Sequence, residues 1–252
     1  MTNSRPYAMS IAGFDPSGGA GVLADIKTFE NNGVYGFGVC SALTIQNDKE
    51  FHNVEWIHIN TIIEQVQIIL KRFKVNYFKI GLIENLFLLQ QLILFLKSVN
   101  PSAVILWDPI LKASAGYNFH ANIDKNGMKK IYENITLITP NIPEALQLFP
   151  STDAENSAEK ISKYCNVFLK GGHSDKEIIS DILFFEKEKI TISSPKILNG
   201  EKHGSGCVLS AAILSNLAKG VEMEESCRLA KNYINQFLSS NESLLGYHTN
   251  LK

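Results

Sequence analysis

Short runs rich in β-branched and other apolar residues alternate along this chain with stretches of helical periodicity, and that alternation is the strongest constraint on its fold. Residues 7–12, 36–44, 77–80, 103–107, 137–139 and 166–170 read as strands. Between them, residues 61–73 place Ile62, Val66, Ile69, Leu70 and Phe73 on one side of a helix, and 86–96 is apolar enough to be mostly buried. Strands separated by helices form βαβ units, so a parallel sheet covered on both faces is expected. Residues 178–185 and 190–193, joined by Glu186-Lys187-Glu188-Lys189, read as an antiparallel pair added after the parallel run, with the four charges in a solvated turn. The expected class is α/β: a three-layer sandwich with a mostly parallel central sheet, helices on both faces and a small antiparallel addition.

At 252 residues the chain suits one large domain spanning 1–252, and 45% hydrophobic against 19% charged residues describes a folded protein. Lys plus Arg number 24 against 25 Asp plus Glu, so no overall charge points to nucleic acid as a partner. The N-terminal segment has too short an apolar run for a signal peptide, and nowhere do 18 uncharged apolar residues follow one another; a cytoplasmic protein without membrane association is expected. Cys40, Cys165, Cys207 and Cys227 are widely spaced with no CxxC pair, which favours free thiols over a zinc site or a disulfide framework.

Open α/β sheets bind ligands beyond the carboxyl ends of their strands, so the loops there carry the chemistry. After the first strand comes Gly13-Phe14-Asp15-Pro16-Ser17-Gly18-Gly19-Ala20-Gly21, which has neither the GxGxxG nor the GxxxxGK[ST] spacing. Its glycines admit close backbone approach to a small ligand, and Asp25, one turn into the following helix, either points a carboxylate there or is a solvated helix residue. Gln46, past the second strand, is a turn residue or an amide suited to the edge of a heteroaromatic ring. Asp108-Pro109 is a strand terminator or a rigidly held carboxylate. Asn141 and Glu144 cap a helix, orient Mg²⁺-bound waters, or do both. Lys170, ahead of Gly171-Gly172-His173, is placed to neutralise phosphate. Gly204-Ser205-Gly206-Cys207 leads into a helix, so Cys207 falls in its first turn: this is either a flexible turn before a small buried packing residue, or a turn whose unpaired N–H groups can receive a phosphate and whose helix field lowers the thiol pKa.

Taken together, these segments resemble the ribokinase-like superfamily, and within it the hydroxymethylpyrimidine/phosphomethylpyrimidine kinases of thiamin biosynthesis. The resemblance rests on residues 11–29, 42–47, Lys79-Ile80-Gly81, Asp108-Pro109, 139–144, 170–173 and 203–212, in order along the chain. It implies an ATP- and Mg²⁺-dependent homodimeric kinase that phosphorylates 4-amino-5-hydroxymethyl-2-methylpyrimidine and then its monophosphate. It further implies Cys207 as base, Gly204, Ser205 and Gly206 around the transferring phosphoryl group, and Lys170 on phosphate. Gly13, Asp25 and Gln46 would lie at the pyrimidine, and Asp108, Asn141 and Glu144 on the nucleotide and magnesium side, the metal being held through water by Asp108 and Glu144.

The chain departs from the family pattern at Phe14, where a small residue is usual, at Lys202, at Ser205 in place of threonine, and in a shortened ending, Leu245-Gly246-Tyr247-His248, whose contribution is expected to be reduced or lost. A pyridoxal or pyridoxine kinase shares the fold and a similar ring substrate, and a non-catalytic pyrimidine sensor is the rival of a different class. A dinucleotide-dependent oxidoreductase is disfavoured by the glycine spacing of the first turn.

Overall fold

Neighbouring residues of the central strands point to opposite faces, and in this chain both faces are apolar. The computed structural model of the chain describes residues 5–111, 125–172 and 177–248, so His173 lies outside the described residues. The elements in order are β1 (Tyr7–Phe14), α1 (Gly21–Asn31), β2 (Tyr35–Gln46), β3 (Phe51–Trp56), α2 (Ile59–Leu70), β4 (Tyr77–Ile80), α3 (Leu86–Val99), β5 (Val104–Trp107), α4 (Lys125–Tyr132), β6 (Leu137–Ile138), α5 (Ile142–Leu148), α6 (Ala154–Ile161), β7 (Asn166–Leu169), β8 (Ile178–Phe185), β9 (Glu188–Pro195), α7 (Ser205–Ala218) and α8 (Met223–Leu238). Met9, Ile11, Phe78, Ile80, Ile105, Trp107, Ile138 and Val167 enter one core with α2 to α6. Ala8, Leu106, Leu137, Phe168 and Leu183 enter the other, with α1, α7 and α8. α7 is buried from Cys207 to Asn216, as befits a helix apolar nearly all round.

Among the described residues the strands form one nine-stranded sheet in the order β3-β2-β1-β4-β5-β6-β7-β8-β9. The pairs from β2 through β1, β4, β5 and β6 to β7 are parallel, and β8 and β9 extend the sheet antiparallel, as expected. Glu186 and Lys187 form the turn between those two strands with positive φ. The opposite edge was not foreseen: β3 returns antiparallel along β2, half-exposed, with His52, Asn53 and Glu55 facing out, a pattern without the apolar run used to find the other strands. β9 is two residues longer at each end than its apolar segment. α2 starts two residues earlier than expected, at Ile59, where the His58 ring accepts the Asn60 N–H, and ends at Leu70. No helix of the described residues is long and apolar enough to cross a membrane.

The parallel core aims the ends of β1, β4, β5, β6 and β7 at one side. The chain leaves β1 for β2 over the face of α1, and later reaches β4, on the other flank of β1, over the face of α2. The direction of winding therefore reverses beside β1, and such a reversal opens a crevice at the strand ends. Phe168 is fully buried. Phe168→Ala should lower the unfolding midpoint by roughly 6–20 °C, the cost of emptying an aromatic core position in a chain of this size. Leu198→Ala, at a position 84% exposed, should leave the midpoint within about 2 °C; thermal unfolding followed by circular dichroism checks both.

Candidate active site

Two backbone turns meet at the crevice because both are glycine. Gly21 has φ +61, and a Cβ there would fall 2.1 Å from the Gly13 carbonyl oxygen. Gly204, the residue preceding α7, has φ +73, and its Cβ would fall 2.0 Å from the carbonyl oxygen of Gly19. Asp15 locks the turns together: its carboxylate accepts from Ser17 N (2.9 Å), Ser17 Oγ (2.8 Å) and Ala20 N (2.8 Å), and meets His203 Nε2 at 2.8 Å. Burial alone would raise the Asp15 pKa, but the bonds from His203, Ser17 and Ala20 hold it below the usual value.

α7 begins at Ser205, which puts Ser205, Gly206 and Cys207 in its first turn, as the sequence implies. The Ser205 N–H turns back to Lys202 O at 3.3 Å, whereas those of Gly206 and Cys207 belong to the turn that has no intrahelical acceptors.

Beside that turn lies a buried set of alternating charges. Lys79, inside β4 and fully buried, donates to Asp25 Oδ1 (2.7 Å) and Oδ2 (2.9 Å), with Asp108 Oδ2 at 4.0 Å. Ser10 Oγ donates to the same Asp25 carboxylate at 2.5 Å. Asp108 accepts from Lys170 Nζ (2.9 Å), Thr139 Oγ1 (3.1 Å) and Ser210 Oγ (3.1 Å). Glu144 Oε2 lies 3.8 Å from Lys170 Nζ. A Cβ on Gly206 would sit 3.4 Å from Lys170 Nζ and 4.0 Å from Asp108 Oδ2, so the ammonium borders the first turn of α7 at ordinary contact distance. Burial would lower the pKa of Lys79, but Asp25 outweighs it and keeps the ammonium charged. Lys170 is likewise raised, against burial, by Asp108 and then Glu144. For Asp108 burial pushes upward, and Lys170 and Lys79 bring it below its ordinary value.

Cys207 departs from the expectation of a lowered pKa. Burial pushes its thiol up to about 11; Lys79 opposes this, Asp25 and Asp108 add to it, and the Gly21 N–H lowers it. The helix end favours the thiolate, but here the sulfur is buried and two of the nearest charges are negative, so desolvation wins.

The structure brings Lys170, Asp108, Glu144, Asn141, Gly204, Ser205, Gly206 and Cys207 together at the strand ends. Asn141 and Glu144 form a complete capping box, the Asn141 side chain accepting from Glu144 N at 2.9 Å and Glu144 Oε2 from Asn141 N at 2.8 Å. Asp25 is neither solvated nor open: it lies on the buried face of α1, committed to Lys79 and Ser10. Gly13 is fixed by packing, since a Cβ would meet Leu82 Cδ2 at 2.9 Å. Gln46 stands apart from the charged set, past the end of β1 on the arm formed by β2 and β3.

The acidic residues fit a divalent cation held through water better than one held directly. Asp108 already accepts three side-chain bonds, and among the described residues no group of three or more His, Cys, Asp or Glu converges on a metal position. Burial pushes Glu144 up to about 7, with Lys170 opposing and Asp108 adding. A carboxyl in that condition gains from an added positive charge, which is the condition a weakly held Mg²⁺ would relieve.

Three functional positions carry no role in the sequence reading. Lys79 is a single charge inside the apolar strand Tyr77-Phe78-Lys79-Ile80, and that misfit was its signal. Asp15 and His203 lie 188 residues apart, and nothing local pairs them. The C-terminal segment is not lost to the site: Leu244 O accepts the His203 N–H at 2.9 Å, Lys202 Nζ donates to Asn241 O at 2.7 Å, and a Cβ on Gly19 would meet Leu245 Cδ2 at 2.7 Å. Lys202, a departure from the family pattern, is thus the residue that ties the ending to the α7 turn.

The site therefore has the parts of a small-molecule kinase: an anion-receiving helix turn, a lysine over it and acidic residues beside it. The sequence pattern described as phosphomethylpyrimidine kinase matches residues 15–251. A hydroxymethylpyrimidine/phosphomethylpyrimidine kinase of Aquifex aeolicus is 34% identical over 94% of this chain and 96% of its own length. A phosphomethylpyrimidine kinase structure from Clostridium difficile is 32% identical, with TM-score 0.76 over 92% of this chain and 99% of that one. A Bacillus subtilis pyridoxal kinase solved as an ADP complex is 28% identical, with TM-score 0.78 over 93% and 92%. The chain belongs to the phosphomethylpyrimidine kinase family, and it is a kinase.

Two outcomes follow from the charges. Lys79→Met leaves Asp25 buried without its cation and should cost about 3–5 kcal/mol, whereas Lys79→Met/Asp25→Leu should recover most of that; paired denaturation curves would decide it. Because Glu144 has a folded pKa above its unfolded one, the folded state holds that proton more tightly, and stability falls as pH rises from about 4.5 to about 7. Glu144→Gln keeps the capping geometry and should flatten the fall, measured as the difference between wild-type and variant unfolding free energies across that window.

Proposed function

We propose that this chain is a single ribokinase-like kinase domain, a three-layer sandwich, that transfers the γ-phosphoryl group of ATP to 4-amino-5-hydroxymethyl-2-methylpyrimidine and then to its monophosphate, in thiamin biosynthesis. The observation that carries the reading is the placement of the Lys170 ammonium against the first turn of α7, where a Cβ added to Gly206 would lie 3.4 Å from it. In this reading the Gly206 and Cys207 N–H groups, with Gly204 and Ser205 shaping the turn, receive the transferring phosphoryl group. Lys170 leaves Asp108 in part to meet the phosphate charge, and Asn141 faces the nucleotide. Mg²⁺, held through water by Asp108 and Glu144, would supply neutralisation of the phosphates when bound. Gly13 and Gln46 border the ring, while Asp25, committed to Lys79 and Ser10, sets the charge around Cys207. The protein would work in the cytoplasm as a homodimer.

Cys207 takes the proton of the hydroxymethyl group, and its raised pKa gives that role a signature. A thiol at about 11 is ionised in only about one molecule in 10⁴ at pH 7, so the first phosphorylation should quicken about tenfold per pH unit between 7 and 10. The second acceptor is a phosphate that is already ionised, and its rate should stay nearly flat. Cys207→Ala should cost the first step about 10²–10⁴-fold and the second much less. Equal losses in both steps would sink the role.

A second reading, pyridoxal kinase, is favoured by the resemblance to the Bacillus subtilis structure at 28% identity. Mass-resolved products from the purified protein with ATP, Mg²⁺ and either hydroxymethylpyrimidine or pyridoxal distinguish the two. Mono- and diphosphates of the pyrimidine are expected. Pyridoxal phosphate alone would transfer the assignment to the second reading, and no product from either acceptor would leave a binding protein.

A further inference from the structure

A second buried ion pair lies outside the site, and one of its oxygens reaches into it. Lys231, on the inward face of α8, donates to Asp181 Oδ2 of β8 at 2.7 Å, and the side chains are 7% and 3% exposed. The other oxygen, Asp181 Oδ1, accepts the backbone N–H of Gly171 at 2.7 Å. Gly171 directly follows Lys170. It fits only because it has no side chain, since a Cβ would lie 2.0 Å from the Ser180 carbonyl oxygen. On its other side Lys170 is bound through its own N–H to Pro140 O at 2.8 Å. The backbone that carries the Lys170 ammonium is thus clamped from both flanks, on one by the loop after β6 and on the other by Asp181.

Stability alone is a poor reason for this pair. Removing two charges from water is costly, and apolar residues of similar volume commonly serve a core as well or better. A carboxylate divided between a lysine and a peptide N–H does something an apolar pair cannot: it fixes a backbone donor in one direction. We propose that Asp181 is a positioning residue for phosphoryl transfer, holding Gly171 so that Lys170 keeps its ammonium over the first turn of α7, while Lys231 only meets the charge of the buried carboxylate. The inference rests on the reading of Lys170 as the phosphate lysine.

The test compares two double variants in the full-length protein. Asp181→Asn/Lys231→Met removes both charges but keeps an acceptor for the Gly171 N–H; Asp181→Leu/Lys231→Met removes charges and acceptor. The first should keep kcat for hydroxymethylpyrimidine within about threefold of wild type. The second should lose about 10- to 100-fold in kcat, with KM for the pyrimidine little changed and a melting temperature close to that of the first. If the leucine double variant does not fold, Asp181→Val/Lys231→Met is read in its place. Equal kcat in the two doubles, alongside a Lys170→Met enzyme that is impaired, would overturn the inference alone. A Lys170→Met enzyme with unimpaired kcat would overturn the reading on which it rests, and the inference with it.

Discussion

The pairing of Lys79 with Asp25 is the interaction on which the rest of the site depends. A lysine within an apolar strand is tolerable only if its charge is met, and both oxygens of Asp25 meet it, at 2.7 and 2.9 Å. The consequence is geometric first: α1, β4 and the Asp108 turn are tied at one point, beside the strand where the sheet reverses its winding. It is electrostatic second. With Lys79 spent on Asp25, Asp108 is left to Lys170 at 2.9 Å, and Lys170 is thereby held at the start of α7. The thiol of Cys207 shares Lys79 with Asp25 and Asp108, whose charges oppose its ionisation, and burial rather than the helix end sets its protonation.

Around that charged centre the site is assembled by backbone packed on backbone. The turn after β1 and the turn before α7 approach so closely that neither Gly21 nor Gly204 has room for a side chain, and Asp15 with His203 closes them from within. The segment after α8 covers this junction through Leu244 and Leu245, with Lys202 as a tether. Tyr233 of α8 also holds it, meeting His248 Nδ1 at 2.9 Å while Asn31 of α1 donates to the same hydroxyl at 3.1 Å. Burial, with Lys27 nearby, pushes His248 down to about 4, so that contact is made by a neutral ring at ordinary pH. Helices α1, α7 and α8 and the segment 241–248 thus share one anchorage beside the turn that precedes α7.

What was legible in the sequence follows from how each feature is encoded. The parallel strands and the β8–β9 pair were readable because each is a local apolar run, and α7 because glycines precede a continuous apolar stretch. The capping box of Asn141 and Glu144 spans four consecutive residues and could be read directly. β3 was missed because its apolar residues, Phe51, Val54 and Trp56, are interrupted by His52, Asn53 and Glu55 and make no continuous run. The partners of Asp25 and Asp15 were missed because Lys79 and His203 are distant in the chain, and pairing across a fold leaves no local pattern. Cys207 shows the limit most clearly: its place in the first turn was a matter of spacing, but its ionisation depends on enclosure and on Asp25 and Asp108, which only the folded chain brings near.

The most direct measurement of the charged centre is the ultraviolet absorbance of the Cys207 thiolate, taken as wild type minus Cys207→Ala across pH in the free protein. The account predicts no ionisation step below about pH 10, in keeping with a thiol raised to about 11. A midpoint below pH 8 would mean that the helix end and Lys79 outweigh burial, and would contradict the electrostatic description of the site.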